Sequence, residues 1–445
     1  AIHTSAASGD GWPDLGSERQ PFQVRSPRHL ANLGMARYVA EGYRFEQTTL
    51  LDYAAYQGGG FLHTPIGEAD VNGSMFQGVY EGNGLAIRRL RLQETREGAA
   101  LFMGIKGSSA QKTRLSNVVL EEPNVEFDTN GYNAYYVAPL VGQSFNTGVN
   151  GILIEGCSVR GGSVVGDGNE YMTYVGGLVA YNNNAEITRC LSTCTVTGNR
   201  ASAVGGLIAY NTAYEAQVTF CYANNGQGET AGVRGATSYA GIGGFVGHNG
   251  GGTMENCYAL SDVHGVAEAY VGGFVGNGSA SYAYAAGKIT PITGDGFLGN
   301  PNGGSAEYGY YLQGSGYNDA KPAYPPAQGG TALSYEQMQN FASYAGFAFG
   351  GASPAWETAT AATTHAGTPG AVYPFPKLAG LDCYGAWPAA VPAVRTPRQA
   401  AQLPAVPTHQ AAAPAGQPTS SPAAPPSTPT APTPIPVTDR KSTRL

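Results

Sequence analysis

One phrase recurs four times in the middle of this chain: paired glycines, a short apolar run, a polar turn and a second short strand. A unit of that length cannot bury its own apolar face, so its copies must stack on one another to share a core. The repeat therefore predicts a solenoid. The four clearest copies begin at Val175, Val204, Ile242 and Val271.

The apolar residue that follows each glycine pair aligns the copies with one another. Looser copies extend the series on both sides, and neighbouring aligned residues are 23 to 39 positions apart. A solenoid shows such uneven spacing when its turns carry insertions of different length. The aligned residues are Leu101, Leu140, Leu178, Leu207, Phe245, Phe274 and Phe297.

The local chemistry of the repeat favours strands. Its apolar runs are short and bounded by Gly and Asn, which is typical of buried parallel strands, and no helical period is present around them. We therefore predict an all-β fold, a parallel β-helix, whose glycine pairs allow close backbone approach at one corner. A second corner is predicted at Asn182, Asn211 and Asn249, because Asn tolerates positive φ and bonds its own backbone.

The segments GGFVG and ENCYA resemble the GLUG motif, a glycine-leucine-any-glycine repeat of bacterial surface proteins. The resemblance runs from about Phe22 to Leu378 through flanks such as PFQVRSPRHLANLG and LSYEQMQNFA. Pro139, Ala180 and Ala209 depart from the glycine pattern. The resemblance implies a β-solenoid of the kind found in adhesin-like proteins and in the non-catalytic region of IgA-cleaving zinc metalloproteases.

Composition divides the chain into four parts. Residues 1–20 are polar and predict a disordered lead-in, and residues 21–385 predict the solenoid, with its main array at about 100–300. Residues 386–438 are rich in Pro, Ala and Thr, which predicts an extended linker. Residues 439–445, DRKSTRL, can be encoded by a common sequencing-adapter sequence, so we interpret them as an artefact of read-through.

Two short helices are expected to cap the ends of the solenoid, where strand edges would otherwise be open. Ser26 followed by Pro27 forms a helix start, with the side chain as N-cap and proline in the first turn. Ser334 and Gln337 have the spacing of a capping box.

The cysteines fit the interior of the coil. Cys190, Cys221 and Cys257 follow the aligned residues at similar distances and predict an inward column. Coil spacing of about 4.8 Å is wider than the Cβ separation of a disulfide, so free thiols are favoured over disulfides. Cys190 and Cys194 have no second pair at zinc spacing, so no metal site is predicted.

Catalytic and cofactor motifs are missing from the sequence. HExxH and GxSxG do not occur, the glycines at 241–247 lack the spacing of a dinucleotide loop, and no cofactor is predicted. His248 and His264 with Asp262 suggest a shared site, but solvated turn histidines are favoured. The acidic loop at 167–170 and Asp295 leave calcium binding open.

Glutamates recur near the second strand of the repeat, at Glu155, Glu186, Glu215 and Glu255. A catalytic β-helix that cleaves polysaccharide would use paired carboxylates, so this remains an alternative. Residues that recur in every copy are more typical of scaffold. We therefore predict that the chain is not an enzyme.

Tyrosine is abundant, with 28 residues, and suggests a binding surface. Tyr222, Tyr258 and Tyr284 align just after the cysteine position, so neighbouring side chains of opposite orientation place them on the outer face. They predict either an aromatic column that stiffens the coil or an exposed platform for glycans or a protein ligand.

The formal net charge of −7 argues against a nucleic-acid partner, and the longest apolar runs are too short for a membrane span. The sequence as a whole predicts a non-catalytic, extracellular β-solenoid module of a bacterial surface protein, attached through a C-terminal region beyond this stretch. It would serve adhesion, glycan or protein binding, or act as a stalk. The alternative is the accessory arm of a larger secreted protease or carbohydrate-active enzyme.

Overall fold

The computed structural model describes most of residues 16–384. The predicted linker at 386–438, the tail at 439–445 and most of the lead-in at 1–20 lie outside the described residues. Within 16–384 the residues not described are 57–60, 71–72, 130, 132, 149, 213–215, 229, 291–294, 301, 315–328, 358–363, 366–367 and 373–374.

The chain winds into stacked coils, and each central coil contributes a strand to four parallel sheets in turn. In the coil that begins at Ile152, the chain passes through Ile152–Glu155 and Ser158–Arg160 in a bent sheet, then Ser163–Asp167, Thr173–Gly176 and Val179–Asn183. Each strand pairs in parallel with the equivalent strand of the next coil. The all-β, parallel β-helix architecture predicted from the sequence is confirmed.

The bent sheet, called sheet 1, has 17 strands in the described residues. They are Phe22–Val24, Arg44–Gln47, Leu51–Asp52, Val79–Glu81, Ala86–Arg88, Thr113–Ser116, Val119–Glu121, Ile152–Glu155, Ser158–Arg160, Glu186–Thr188, Leu191–Ser192, Gln217–Thr219, Tyr222–Ala223, Thr253–Ala259, Ala280–Ala285, Ala306–Leu312 and Thr331–Leu333.

Three flatter sheets complete the coil. Sheet 2 contains Asn124–Asp128, Ser163–Asp167, Thr195–Arg200, Val233–Gly235, Val263–His264 and Ile289–Thr290. Sheet 3 contains Gly98–Ala99, Tyr135–Val137, Thr173–Gly176, Ala203–Gly205, Gly241–Gly243 and Tyr270–Gly272. Sheet 4 contains Phe102–Gly107, Val141–Asn146, Val179–Asn183, Ile208–Thr212, Val246–Asn249, Val275–Asn277 and Leu298–Asn300.

The aligned apolar residues form one column at the entrance to sheet 4. Strand register pairs Val141 with Val179, Val179 with Ile208 and Ile208 with Val246, which places the preceding residues above one another. The rings of Phe245 and Phe274 stack with centroids 4.7 Å apart. All seven aligned residues are at most 1% exposed, so the alignment made from sequence is the column at the centre of the core.

The glycine pairs act through close backbone approach. Gly206 lies at the corner between sheets 3 and 4, and a Cβ placed on it would be 2.0 Å from the carbonyl oxygen of Gly244 in the next coil. The same is true of Gly177 against Gly206. A side chain of any size would therefore push adjacent coils apart.

The asparagines do not adopt the predicted positive φ, but Asn182 and Asn249 do bond the nearby backbone as predicted, each donating from Nδ2 to the carbonyl three residues further on, at 3.1 and 2.8 Å. Asn182, Asn211 and Asn249 lie within or at the end of extended strands of sheet 4 and are at most 6% exposed. The Nδ2 of Asn182 donates to Oδ1 of Asn211 at 2.8 Å, and Nδ2 of Asn211 donates to Oδ1 of Asn249 at 2.9 Å. The repeat therefore keeps Asn because a buried amide can donate to one coil and accept from another.

The bend in sheet 1 comes from one left-handed residue per coil. Arg189 has φ of 53° and Phe220 has φ of 54°, although neither is a residue type that favours this region. Their backbone N–H groups still donate to the next coil, to Thr219 at 3.2 Å and Glu255 at 3.4 Å. The residues at this bend are Asn117, Gly156, Arg189, Phe220, Asn256, Tyr282 and Tyr308.

The predicted inward cysteine column is present in the core. Cys190, Cys221 and Cys257 are fully buried with free thiols, and Cys157 precedes them in the column. The backbone N–H of Cys190 donates to Sγ of Cys221 at 3.3 Å. Burial raises the pKa of the thiols of Cys157, Cys190 and Cys221, which keeps them protonated and unreactive.

The first helical segment matches its sequence signal. It comprises helix Pro27–Ala31, a 3₁₀ turn at Asn32–Gly34 and helix Ala36–Val39. The Ser26 side chain accepts from the backbone N–H of His29 at 3.2 Å, as the N-cap prediction requires. Leu30 and Leu33 are fully buried, so the segment contributes to the main core near its N-terminal end.

The second helical segment packs on the outer face of sheet 1 and not over the end of the main core, where the sequence predicted a cap. Helix Tyr335–Met338 begins with the predicted capping box, and a 3₁₀ turn follows at Phe341–Ser343. Met338 is buried against the outer face of sheet 1, in a second apolar cluster separate from the main core. Two short antiparallel pairs follow, Trp356–Glu357 with Lys377–Leu378 and Thr364–His365 with Thr368–Val372. In the part of the chain that the structure describes, no helix combines the length and apolarity needed to cross a membrane.

Replacing Gly206 with Ala tests the stacking at this corner. We expect Gly206→Ala to lower the free energy of unfolding by at least about 1–3 kcal/mol, because the added Cβ meets rigid backbone of the neighbouring coil. Urea unfolding followed by circular dichroism measures the change. Gly34→Ala is the matched control, since its Cβ would meet its nearest neighbour at an ordinary 3.6 Å. Equal stability of the two variants would contradict the assignment.

Candidate binding surface

The tyrosines singled out from the sequence form a stacked column but not an open platform. Tyr222 and Tyr258 stack at 4.7 Å, and Tyr258 and Tyr284 stack at 5.1 Å, with nearly parallel rings. They project away from the main core, as the alternation of side chains requires. The structure nevertheless buries all three to 1% exposure or less. These three tyrosines therefore do not form an exposed binding platform.

The described residues of the C-terminal segment, 331–384, cover this column. The Tyr284 hydroxyl donates to the carbonyl of Pro376 at 2.7 Å, and the Tyr222 hydroxyl donates to the carbonyl of Asp382 at 2.8 Å. Trp356 is 1% exposed, and its Nε1 donates to the Asn256 side chain at 3.0 Å. The segment thus runs back along the outer face of sheet 1 and supplies the cover that removes the tyrosines from solvent.

A different set of aromatic residues remains accessible to solvent. Tyr136 and Tyr174 come from sheet 3, and Tyr181, Tyr210 and His248 come from sheet 4. All five side chains are half-buried. Because the glycine pairs fold the chain tightly between these sheets, rings from both sides of the corner meet. We call these five residues the aromatic ridge.

The rings of the ridge contact one another across successive coils. Tyr181 and Tyr210 are stacked at 5.3 Å, and Tyr210 and His248 are stacked at 4.5 Å with an interplanar angle of 4°. Tyr174 meets Tyr181 edge to face at 5.1 Å and stacks with Tyr136 at 5.8 Å. Such pairs hold the rings in fixed orientations, so the surface is organised before any ligand arrives.

The surroundings of the ridge favour the neutral forms of Tyr174 and His248. Burial, followed by the neighbouring Tyr181 and Tyr210 rings, raises the pKa of Tyr174 to about 12. Burial also lowers the pKa of His248, whose Nδ1 pairs with the Asn277 amide at 3.3 Å. Because the rings of Tyr181, Tyr210 and His248 stack on one another, the ridge presents ring edges together with hydroxyl, amide and imidazole groups.

The other candidate residues from the sequence do not converge. His248 lies in sheet 4 and His264 in sheet 2, so the two histidines do not share a site, and only His264 lies near Asp262. Asp295 uses Oδ1 to accept from the backbone N–H groups of Phe297 and Leu298. Asp167 pairs with Arg200. In residues 16–384, outside the gaps named above, no group of three or more His, Cys, Asp or Glu side chains is arranged to hold a metal.

The recurring glutamates do not form a catalytic pair. Glu155 and Glu255 occupy the same register position but lie three coils apart, which is about 14 Å at 4.8 Å per coil. The carboxylates of glycosidases are closer, at about 5–9.5 Å. Glu155 is also paired with Arg114 at 2.6 Å, and Glu186 lies at a different register position. Glu215 lies outside the described residues.

Comparison with known proteins was made on the sequence and on the fold. Residues 238–263 match the family model described as the GLUG motif. The chain carries a GLUG motif. The matched residues include strands of sheets 3, 4 and 1 and reach the start of sheet 2, so the motif corresponds to nearly one complete coil. The resemblance inferred from sequence is confirmed for this coil.

Among solved structures, the chain is similar to a candidate immunoglobulin A1 protease from Bacteroides ovatus. The two share 16% sequence identity with a TM-score of 0.47, over 73% of this chain and 87% of the other. Comparison with curated proteins yields no match.

Trp356 tests whether the C-terminal segment is held by the tyrosine column. We expect Trp356→Ala to destabilise the docked segment by about 3–5 kcal/mol, because it leaves a large cavity between the segment and the column. Limited proteolysis should then cleave the segment faster, and tyrosine fluorescence should report exposure of the column. Phe341→Ala is the control, since Phe341 is 54% exposed. Unchanged cleavage in Trp356→Ala would show that the segment is held by other contacts.

His63 makes the free energy of unfolding depend on pH, and this effect is independent of the aromatic ridge. It is fully buried, its Nδ1 pairs with the Tyr53 hydroxyl at 2.7 Å, and burial lowers its pKa from 6.5 to about 3. Between pH 6.5 and about pH 3, His63 therefore binds a proton in the unfolded chain but not in the folded chain. We expect the free energy of unfolding to fall by up to about 1.4 kcal/mol per pH unit as the pH drops from 6.5 towards 3.

Urea unfolding of the parent and of His63→Gln at pH 7 and pH 5 measures this contribution. The variant loses stability at pH 7 but should show a smaller difference between the two pH values. An identical difference in both proteins would mean that His63 does not titrate as described.

Proposed function

We propose that this chain is a non-catalytic binding module of a bacterial surface or secreted protein, and that the aromatic ridge binds glycans. The proposal rests on a contrast between two sets of stacked aromatic residues on the solenoid, one of which is covered and one of which is not. The column of Tyr222, Tyr258 and Tyr284 is covered by the C-terminal segment, whereas the ridge, built from the same residue type, stays accessible to solvent.

The chemistry of the ridge suits a sugar surface. The C–H face of a pyranose ring is apolar and packs on an aromatic face, while its hydroxyls need polar neighbours. Tyrosine supplies both a rigid ring and a hydroxyl at low cost in conformational entropy.

The shape of the ridge supports an extended ligand. Its rings repeat once per coil, so one ring edge with its polar group is presented about every 4.8 Å along the solenoid. A linear polymer with repeating units can contact several rings at once, which raises its affinity through simultaneous contacts. This role is the same whether the module extends from a cell surface or accompanies a catalytic domain.

The ridge is tested by removing two stacked rings. We expect Tyr181→Ala combined with Tyr210→Ala to weaken binding to neutral glycans on an array by at least about tenfold, the consequence of losing about 1.4 kcal/mol of contact energy. Tyr308→Ala is the matched control, because Tyr308 is 41% exposed but belongs to sheet 1.

Folding is checked by circular dichroism of each variant. Equal glycan binding by the parent and the double variant would contradict the proposal. If the parent binds no glycan but binds a protein through the ridge, the ligand of the ridge is a protein and the glycan proposal is wrong.

A further inference from the structure

A second surface of the coil gathers positive charge. Strand register in sheet 2 pairs Arg234 with His264 and His264 with Thr290, and Lys288 lies just before Thr290 in the third coil. These residues surround a cavity of about 490 Å³ together with Gly228 and Asp262. We call this cavity the basic pocket. It lies on sheet 2, whereas the aromatic ridge lies on sheets 3 and 4.

The one described carboxylate in the pocket is occupied by the backbone. Asp262 is 7% exposed, its Oδ2 accepts from the backbone N–H of Gly228 at 2.8 Å, and its Oδ1 accepts from that of Lys288 at 2.7 Å. Its role is to hold the loop at Gly228 and the strand after Lys288 in place. Its single negative charge does not balance the two permanent cations that line the pocket, Arg234 and Lys288.

Arg234 has unused hydrogen-bonding capacity. Its Nη2 is buried and has no hydrogen-bond partner among the described residues. No carboxylate in the described part of the chain lies within 4.0 Å of the charged nitrogens of Arg234 or Lys288. A buried guanidinium nitrogen without an acceptor is costly, and a ligand oxygen would remove that cost.

His264 lies between the two cations. Its Nε2 pairs with the Gly228 carbonyl at 3.1 Å, which in the neutral ring places the proton on Nε2. Its pKa is lowered by burial and then by Arg234, with Lys288 acting in the same direction, while the Gly228 carbonyl and Asp262 act against them. A bound anion would offset the repulsion from both cations and allow the ring to take up a proton.

We propose that the basic pocket binds an oxyanion, with Arg234 and Lys288 as its charged ligands and His264 as a group that becomes protonated on binding. The chemistry fits a carboxylate or sulfate group, carried by an acidic sugar or present as a free ion. Guanidinium is well suited to planar oxyanions because it offers paired donors. The site does not depend on the aromatic ridge, so either can fail without the other.

The proposal is tested by NMR of histidine-labelled full-length protein in chloride buffer at constant ionic strength. Sulfate is one titrant, a galacturonate oligomer is the second, and the matching neutral galactose oligomer is the control. His264→Asn assigns the resonance. We expect a saturable shift of the His264 signal with an anionic titrant and a rise of its pKa in the bound state.

Variants identify the ligands of the anion. Arg234→Gln and Lys288→Gln should each weaken binding by about tenfold or more, because each removes a charge-assisted contact. Lys112→Gln removes the same charge at an exposed position on another part of the coil and should leave affinity unchanged. Binding of the acidic oligomer but not of sulfate assigns the pocket to a sugar acid, and the reverse result assigns it to a free ion.

Three results would overturn the proposal. One is the absence of any saturable His264 shift, and another is equal loss of affinity in Lys112→Gln and Arg234→Gln. The third concerns Glu229, which follows Gly228 in the sequence. If anions bind to Glu229→Gln but not to the parent protein, Arg234 and Lys288 pair with a carboxylate of the protein itself, and the pocket is not a ligand site.

Discussion

The structure depends on hydrogen bonds and side-chain contacts between one coil and the next. Sheet 4 illustrates both: backbone pairs connect Val179 with Ile208 and Ile208 with Val246, while the core residues before them stack above one another. A single coil has no partner for these groups, so its stability comes from its neighbours. This explains why identical chemistry recurs in columns, as in the amide chain from Asn182 to Asn249 and in the stacked rings of Phe245 and Phe274.

The same rule shapes the outer surface. Because each coil repeats the chemistry of the previous one, an outward tyrosine in one coil places its ring beside another tyrosine in the next. The C-terminal segment covers the tyrosine column in sheet 1. The covered column serves stability through contacts such as that of Trp356 with Tyr284 at 5.7 Å. The ridge has no such cover among the described residues.

Sequence reasoning captured the features that repeat. The aligned column, the inward cysteines and both helix caps follow from local patterns, and the structure contains each of them. It did not find the cover over Tyr222, because that contact joins residues 160 positions apart and the covering segment has no repeat. The sequence also did not predict the left-handed bend in sheet 1, since Arg and Phe are not residue types that favour positive φ.

The ridge, in contrast, had a signal in the sequence. Tyr181, Tyr210 and His248 each lie three positions after an aligned apolar residue, and Tyr136 and Tyr174 each lie four positions before one. The sequence prediction selected the tyrosines that follow the cysteine column. The aromatic residues that flank the glycine pairs recur at positions that are equally regular. Periodicity identifies which residues share a face, but only the tertiary structure shows which face is covered.

The two proposed binding sites arise from repetition and from its interruption. The ridge arises from the repeated coil and offers similar ring edges in series, which suits the proposed polymer ligand and gives little discrimination between its units. The basic pocket arises where the repeat is interrupted, because residues 224–232 add a long connection between Tyr222–Ala223 and Val233–Gly235, whereas the preceding coil crosses from Leu191–Ser192 to Thr195 with two residues. A charged group fixed at one coil can distinguish one unit of a ligand from the next. The proposed affinity along the ridge and the proposed selection at the pocket therefore come from separate features of one scaffold.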